Sequence, residues 1–287
     1  MGVLKIQRHG RIQEWVAEEV GAFATVGLDY EIPESKVNVA DLPPIYHKLI
    51  DRDSPEYDSA YREFVVKSTP YNIASTSHWA VSTAIRAGYG ERMPYAYSIM
   101  PAGIYVHPTS KIQDVSGLRG SQIMVGRHSG SHFSALHALE HFIPPNEIHL
   151  KFVAGRSKRL RTILDDTSLA GSIYGLEAYI LEQQGFRKIL DTTFMVSFML
   201  IGQPPKDDVK KYVAALQIAQ NAMDENPNKY KHYLVQDFPE DIRNPVNINA
   251  CGCGERIAFN TYSEDVLFRA QDWVARRGVF PERWINQ

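Results

Sequence analysis

Apolar positions along this chain switch between two spacings, every second residue and every third or fourth, and the switches mark alternating strands and helices. Leu4-Lys5-Ile6-Gln7 alternates and predicts a first strand that ends at His9-Gly10. Ile12, Trp15, Val16, Val20 and Phe23 then recur at helical spacing up to Gly27, after which Leu28-Asp29-Tyr30-Glu31-Ile32 returns to alternation. This is a βαβ unit, which requires a parallel pair with a right-handed crossover. The stretch from Pro33 to Ser68 is polar and carries Pro43-Pro44 and Pro55, predicting one or two helices with long connections.

The alternation continues downstream. Tyr71–Ala74 reads as a strand that feeds Ser75-Thr76-Ser77-His78, and Trp79–Arg86 as an apolar helix. Tyr95–Val106 is extended chain broken by Pro101-Ala102-Gly103, a candidate hinge. A turn at Ser116–Gly120 leads to a buried strand, Gln122–Gly126, and a helix over His132–Phe142. Strands at 148–153 and 169–173 alternate with helices at 160–164 and 175–184, and Phe186–Leu190 follows as one more short apolar segment. A strand at 195–201, a long helix at 207–223, a polar linker and a helix at 263–277 complete the pattern. The prediction is an α/β chain with open, mostly parallel sheets flanked by helices.

With 287 residues, 44% of them hydrophobic, the chain can bury a large core without disulfides or metals. A formal net charge of -2 gives no global field for nucleic acid. The basic run Gly155-Arg156-Ser157-Lys158-Arg159-Leu160-Arg161 reads as the solvated face of a helix. Cys251 and Cys253, one glycine apart, are poorly placed to form a disulfide and read as small buried side chains. A reactive thiol there would need a positive neighbour, for which Arg256 stands nearest in sequence. No run reaches membrane-spanning length. Met1–Ile6 lacks an apolar signal core, which points to the cytoplasm if Met1 is the native start and to the periplasm or exterior if a signal peptide has been removed.

Chemistry gathers at strand ends. In Val125-Gly126-Arg127-His128-Ser129-Gly130-Ser131-His132-Phe133, Ser129 or Ser131 can cap the coming helix, and Gly130 lets backbone approach a ligand. Helix-start amides attract anions, and Arg127 and His128 add donors at the same rim. Ser75-Thr76-Ser77-His78-Trp79 has the same character, and His9-Gly10-Arg11 is a third turn of this kind. Tyr174 and Glu177, just past a strand, could act as polar selectors, while Trp15, Trp79, Tyr97 and Phe133 could wall a pocket or pack the core. His128 and His132 are four apart, as are His137 and His141. That spacing puts each pair on one helix face, where partly exposed histidines are expected and a metal site is not. No cofactor signature is present.

The opening strand–helix–strand to Gly27-Leu28-Asp29-Tyr30-Glu31, the element Ile112-Gln113-Asp114-Val115-Ser116-Gly117-Leu118-Arg119-Gly120-Ser121-Gln122-Ile123, Gly130-Ser131, and the stretch from Arg159-Leu160 to Gly171 carry a resemblance. Together they resemble the type II periplasmic binding proteins of the aliphatic-sulfonate, taurine and nitrate group, a branch that includes thiamin-pyrimidine synthases. The resemblance covers nearly the whole chain. It implies two lobes, residues 1–100 with 202–287 and residues 101–201, joined by two crossing strands with a ligand between them. Lobe one would supply His9, Arg11, Ser77, His78 and Trp79; lobe two would supply Arg127, His128, Ser129, Gly130, Ser131, Tyr174 and Glu177.

Two functional readings stand. In the first, the protein is a solute-binding protein for a small anionic or polar organic molecule, partnered by an ABC-type permease if it is exported. In the second it is a cytoplasmic enzyme on the same scaffold, a decarboxylase or other lyase of an aromatic or heterocyclic acid. His78, His9 or His128 would then move a proton while Arg127 fixes the acid. The resemblance extends to aromatic sulfinate desulfinases, where a cysteine follows the first strand; His9 stands here instead, so thiol chemistry is not supported. His78 occupies a place similar to a histidine of the pyrimidine synthases, whose dense cysteine cluster Cys251-Gly252-Cys253 matches poorly. A DNA-binding regulator would need a helix-turn-helix module, and none is legible.

Overall fold

The computed structural model describes residues 3–33 and 70–280, so the helices expected between Pro33 and Ser68 fall outside the described residues. In chain order the elements are β1 (Leu4–Lys5), α1 (Gln13–Glu19), α2 (Ala22–Thr25), β2 (Tyr30–Glu31), β3 (Ile73–Ser77), α3 (His78–Arg86), β4 (Glu91–Met100) and β5 (Ala102–Val106). There follow β6 (Gln122–Val125), α4 (Gly130–Leu139), β7 (His149–Phe152), α5 (Arg156–Asp165), β8 (Ala170–Tyr174), α6 (Leu176–Gln183) and β9 (Arg187–Asp191). The last are β10 (Phe194–Leu200), α7 (Lys206–Glu225), β11 (Arg256–Ala258) and α8 (Glu264–Arg277). Among the described residues no helix is long and apolar enough to cross a membrane.

Contacts divide the chain into two compact units. One holds Met1–Ile99, Met195–Tyr230 and Arg256–Gln287; the other holds Met100–Phe194 and Lys231–Glu255. The sequence pattern puts the divisions near residues 100 and 202; the stretch Lys231–Glu255 groups with the second unit. Pro101, which lacks a backbone donor, separates β4 from β5 where the chain first passes from one unit to the other.

In the first unit β1 and β2 pair in parallel, Leu4 opposite Tyr30, as the βαβ pattern requires. The helix between them is shorter than its apolar spacing predicts. Gly21 adopts φ 67, a left-handed value that costs glycine little, and splits the segment into α1 and α2. A second sheet runs β11-β4-β10-β3, with β10 antiparallel to β3 (Val196 opposite Ser77) and β11 antiparallel to β4. The strand β11 emerges from what the sequence pattern leaves as linker. Helix α7 packs on α1 and α2, and α8 packs on α3. Acidic Glu264 and Asp265 open α8, Arg276 and Arg277 close it, and Gly278 at φ 58 ends it, a charge order that complements the helix dipole.

The second unit carries a five-stranded sheet of order β7-β6-β8-β5-β9. Strands β7, β6 and β8 run parallel, while β5 is antiparallel to both β8 and β9. Pairing in the two units is thus mixed where mostly parallel sheets were expected. The core of this unit is Ile104, Val106, Ile123, Val125 and Ala170 from the sheet against Leu118, Ala135, Leu139 and Ile143. Because β7, β6 and β8 are parallel neighbours, their carboxyl ends lie on one edge of the sheet. Each runs directly into a helix: β7 into α5, β6 into α4 and β8 into α6. Three helix starts therefore stand side by side, at the edge where ligands of open α/β sheets bind.

Candidate functional site

Those three helix starts gather a polar cluster. Arg156 and Arg159 stand on the first turn of α5, and Tyr174 and Glu177 flank the start of α6. Arg156 Nη2 donates to Glu177 Oε2 at 2.5 Å, and Arg159 Nη1 donates to the Val153 carbonyl at 3.2 Å. The Tyr174 ring centre is 5.3 Å from the Arg156 guanidinium carbon and 5.9 Å from that of Arg159. With Ile173, these four residues line a narrow crevice with no space for a water molecule. Burial works against the Arg156 charge, but Glu177, Tyr174 and Glu255 outweigh it and hold the guanidinium more firmly protonated than usual.

The cluster is incompletely satisfied. Arg156 Nε, Arg159 Nε and Glu177 Oε1 are buried with no hydrogen-bond partner among the described residues. Arg159 is 4% exposed and Glu177 2%, so solvent does not reach them freely. Arg159 also makes no ion pair with a carboxylate among the described residues. Two unfulfilled donors and one unfulfilled acceptor in one buried cluster form a pattern that a ligand could complete.

The turn before α4 abuts this cluster. A β-carbon added at Gly126 would lie 2.6 Å from Arg159 Nη1 and 2.9 Å from Ser129 Oγ, so the absent side chain is what lets the guanidinium lie against the turn. The two serines expected to cap α4 do something else. Ser129 Oγ donates to the Gly126 carbonyl at 2.7 Å, Ser131 Oγ accepts from the Gly126 amide at 2.9 Å, and the two hydroxyls are 2.8 Å apart. They knit the turn to itself, and α4 begins without a side-chain cap. Gly130 is needed for packing as well as approach, since a β-carbon there would overlap the Phe194 ring.

Arg127 and His128 occupy the same turn. The Arg127 guanidinium carbon lies 3.7 Å from the centre of the Phe152 ring. His128 adopts φ 53, and its amide donates to Nδ1 of His132 at 3.1 Å. His132 is driven down to a pKa of about 3, first by burial and then by His128 and Arg127. Its imidazole is therefore a neutral acceptor, buried like His128 where partly exposed histidines were expected.

In the first unit Arg11, expected at a ligand, serves the core instead. It is buried, donates to Ser75 Oγ at 3.0 Å and to the Tyr212 hydroxyl at 3.2 Å, and pairs with the buried Glu14. Tyr212 also donates to Glu14 Oε1 at 2.7 Å, and burial above all, then Glu14, raises its pKa. Ser77 Oγ is buried with no hydrogen-bond partner among the described residues. His78 Nδ1 lies 3.1 Å from the Met195 carbonyl, and its ring is 3.9 Å from that of Trp79, itself buried against Trp273. His9 is partly buried. Both thiols are free; Cys251 is buried as expected and burial pushes its pKa up, whereas Cys253 is only partly buried. Arg256 is engaged by Asp224.

No protein-family model and no curated protein sequence matches this one. Solved structures do. The periplasmic aliphatic sulphonate binding protein SsuA from Escherichia coli superimposes with a TM-score of 0.67 at 13% identity, covering 98% of this chain and 94% of that one. The alkanesulfonate-binding protein SsuA from Xanthomonas axonopodis pv. citri, bound to MOPS, gives 0.65 at 13%, covering 99% and 96%. The fold is that of the periplasmic binding proteins. A variant of DszB in complex with biphenyl-2-sulfinic acid shares it, with a TM-score of 0.63 at 13% identity over 98% of this chain and 95% of that one. At these identities the likeness is one of fold.

Within this periplasmic-binding-protein fold, the arginines that complete the cluster are ones the sequence pattern assigns to solvent. Of the basic run, Lys158 and Arg161 do face outward, and Arg161 pairs with Asp241 at 2.7 Å. Arg159 is buried on the same face of α5 as Leu160 and Ile163. The signal was available: an arginine four residues before a core isoleucine and next to a core leucine is on the apolar stripe.

Proposed function

We propose that this protein binds a small organic acid at the helix-start cluster of its second unit, with Arg159 as the group that takes the acid. The observation that carries this reading is the burial of the Arg159 guanidinium without a carboxylate partner. Burying a charge that lacks such a partner costs several kcal/mol. Such a cost persists where a bound molecule supplies the counter-charge. Gly126 leaves room for Arg159 against the α4 turn, and the positive end of α4 adds to the attraction. Two proteins of this fold are named for binding sulfonates and a third is complexed with a sulfinic acid. Acid groups of that kind accept several hydrogen bonds in a fan, which suits a guanidinium fork. The crevice has no water-sized space, so this reading requires the side chains that line it to move when the acid binds.

The test is calorimetry and thermal shift with a panel of short alkanesulfonates and carboxylates, using the parent protein and Arg159→Met. The parent is expected to gain Tm with ligand concentration. Arg159→Met is expected to bind at least about 30-fold more weakly, the loss of about 2 kcal/mol that removing one partner of a buried charge pair brings. Its ligand-free Tm should stay near the parent's or rise. A variant that binds normally, or one that fails to fold because Arg159 is structural, overturns the assignment.

A further inference from the structure

Resting on that acid site, we infer that Phe194 is the residue that limits the size of the acid the site accepts. The crevice has no space for a water molecule, so the shape available to a ligand is set by which lining side chain can yield. Arg156 and Glu177 are tied to each other, and Arg159 is tied to the Val153 carbonyl. Ile173 is a buried residue of β8. Tyr174 differs from all of these. It is only partly buried, and among the described residues its side chain makes ring contacts and no hydrogen bond. Moving it breaks no ion pair and strands no buried donor or acceptor, so it is the side chain that an entering acid displaces with least loss.

An acid that enters beside the two guanidiniums pushes the Tyr174 ring away from them, and the ring that flanks it is Phe194. The two stand edge to face at 89°, with 5.7 Å between centres. Phe194 itself has nowhere to retreat. It is buried, and the tip of its ring is seated on the backbone of Gly130, where even a β-carbon would overlap it. The chain leading into it is also held: the Thr192 amide donates to the Ala102 carbonyl at 3.0 Å, and the Thr193 amide to Asp191 Oδ1 at 2.9 Å. In close-packed surroundings a ring held on both sides does not give way to a neighbour. Phe194 is thus the wall that stops Tyr174, and the distance from Arg159 to that wall is what remains for the part of the molecule behind the acid group.

The test is a chain-length series, ethane-, butane- and hexanesulfonate, titrated by calorimetry into the parent, Phe194→Ala and Phe194→Leu. The parent is expected to prefer the shortest member. Phe194→Ala is expected to raise the affinity for hexanesulfonate relative to ethanesulfonate at least about 10-fold, because each methylene that the vacated space buries is worth about 4-fold. Phe194→Leu leaves a smaller space and should move the same ratio the same way by about 4-fold, and it carries the test should Phe194→Ala not fold. A side chain that only supports the fold would instead lower the affinity for every length alike. That uniform loss, or a parent that already binds all three lengths equally, overturns the size limit and leaves the acid site standing. So does a gain for hexanesulfonate that persists in full when Arg159→Met is added to Phe194→Ala, since the tail would then be filling a hole unconnected with the acid. If no sulfonate binds the parent or either variant, the acid site falls and the size limit with it.

Discussion

His132 makes the stability of this protein depend on pH in a way that can be computed in advance. The ring is 5% exposed, and its Nδ1 accepts the His128 amide, so protonation would both charge a buried ring and break that bond. Its pKa is lowered from 6.5 to about 3. The unfolded chain therefore takes up this proton first as pH falls, and stability is whole above the unfolded value and declines through the window from 6.5 down to 3. At pH 5 the unfolded histidine is almost fully protonated and the folded one is not, so linkage predicts a loss of about 2 kcal/mol between pH 8 and pH 5 from this residue alone. The figure is robust, because any folded value below about 4 gives the same result. The comparison is between the parent and His132→Gln, whose amide oxygen can still accept from His128 but does not titrate. Urea unfolding of both at pH 8, 7, 6 and 5 should show the variant destabilised at pH 8 and the difference shrinking by about 2 kcal/mol at pH 5. Other titrating groups are shared and cancel. Stability curves that run parallel across that range would show that His132 does not carry the effect.

Two further outcomes concern packing. Arg11→Met strands Glu14 in the core and is expected to cost about 3–5 kcal/mol in urea unfolding, most of it recovered by adding Glu14→Leu. A single variant within about 1 kcal/mol of the parent would mean the pair is not held as described. Gly130→Ala pushes a methyl into the Phe194 ring, an overpacking cost of about 1–3 kcal/mol against at most about 1 kcal/mol gained in helix propensity. Pairing it with Phe194→Leu should show favourable coupling in a double-mutant cycle, and additive effects would argue against that contact.

What the sequence made legible follows from which physical signals are local. Alternation is a local signal, so β3, β6, β8 and the long helices fall close to where the apolar pattern puts them, and the strand-end turn at 126–131 is visible as a run of donors and glycine. Side-chain fate is not local. Arg11 looks like a rim donor in sequence because nothing nearby announces that Glu14, Tyr212 and Ser75 close around it; Tyr212 comes from a helix two hundred residues away. Ser129 and Ser131 look like caps because capping serines and turn-closing serines have the same spacing, and the choice is made when Arg159 takes the space above Gly126. Arg159 itself looks solvated in sequence because a charge run suggests water. Yet a charge survives on a buried stripe only if something neutralises it or something binds it, and its neighbours Arg156 and Glu177 already neutralise each other. The residue that defies the pattern is thereby the one on which the proposed acid site rests: local rules assign it to water, and the fold places it in the core.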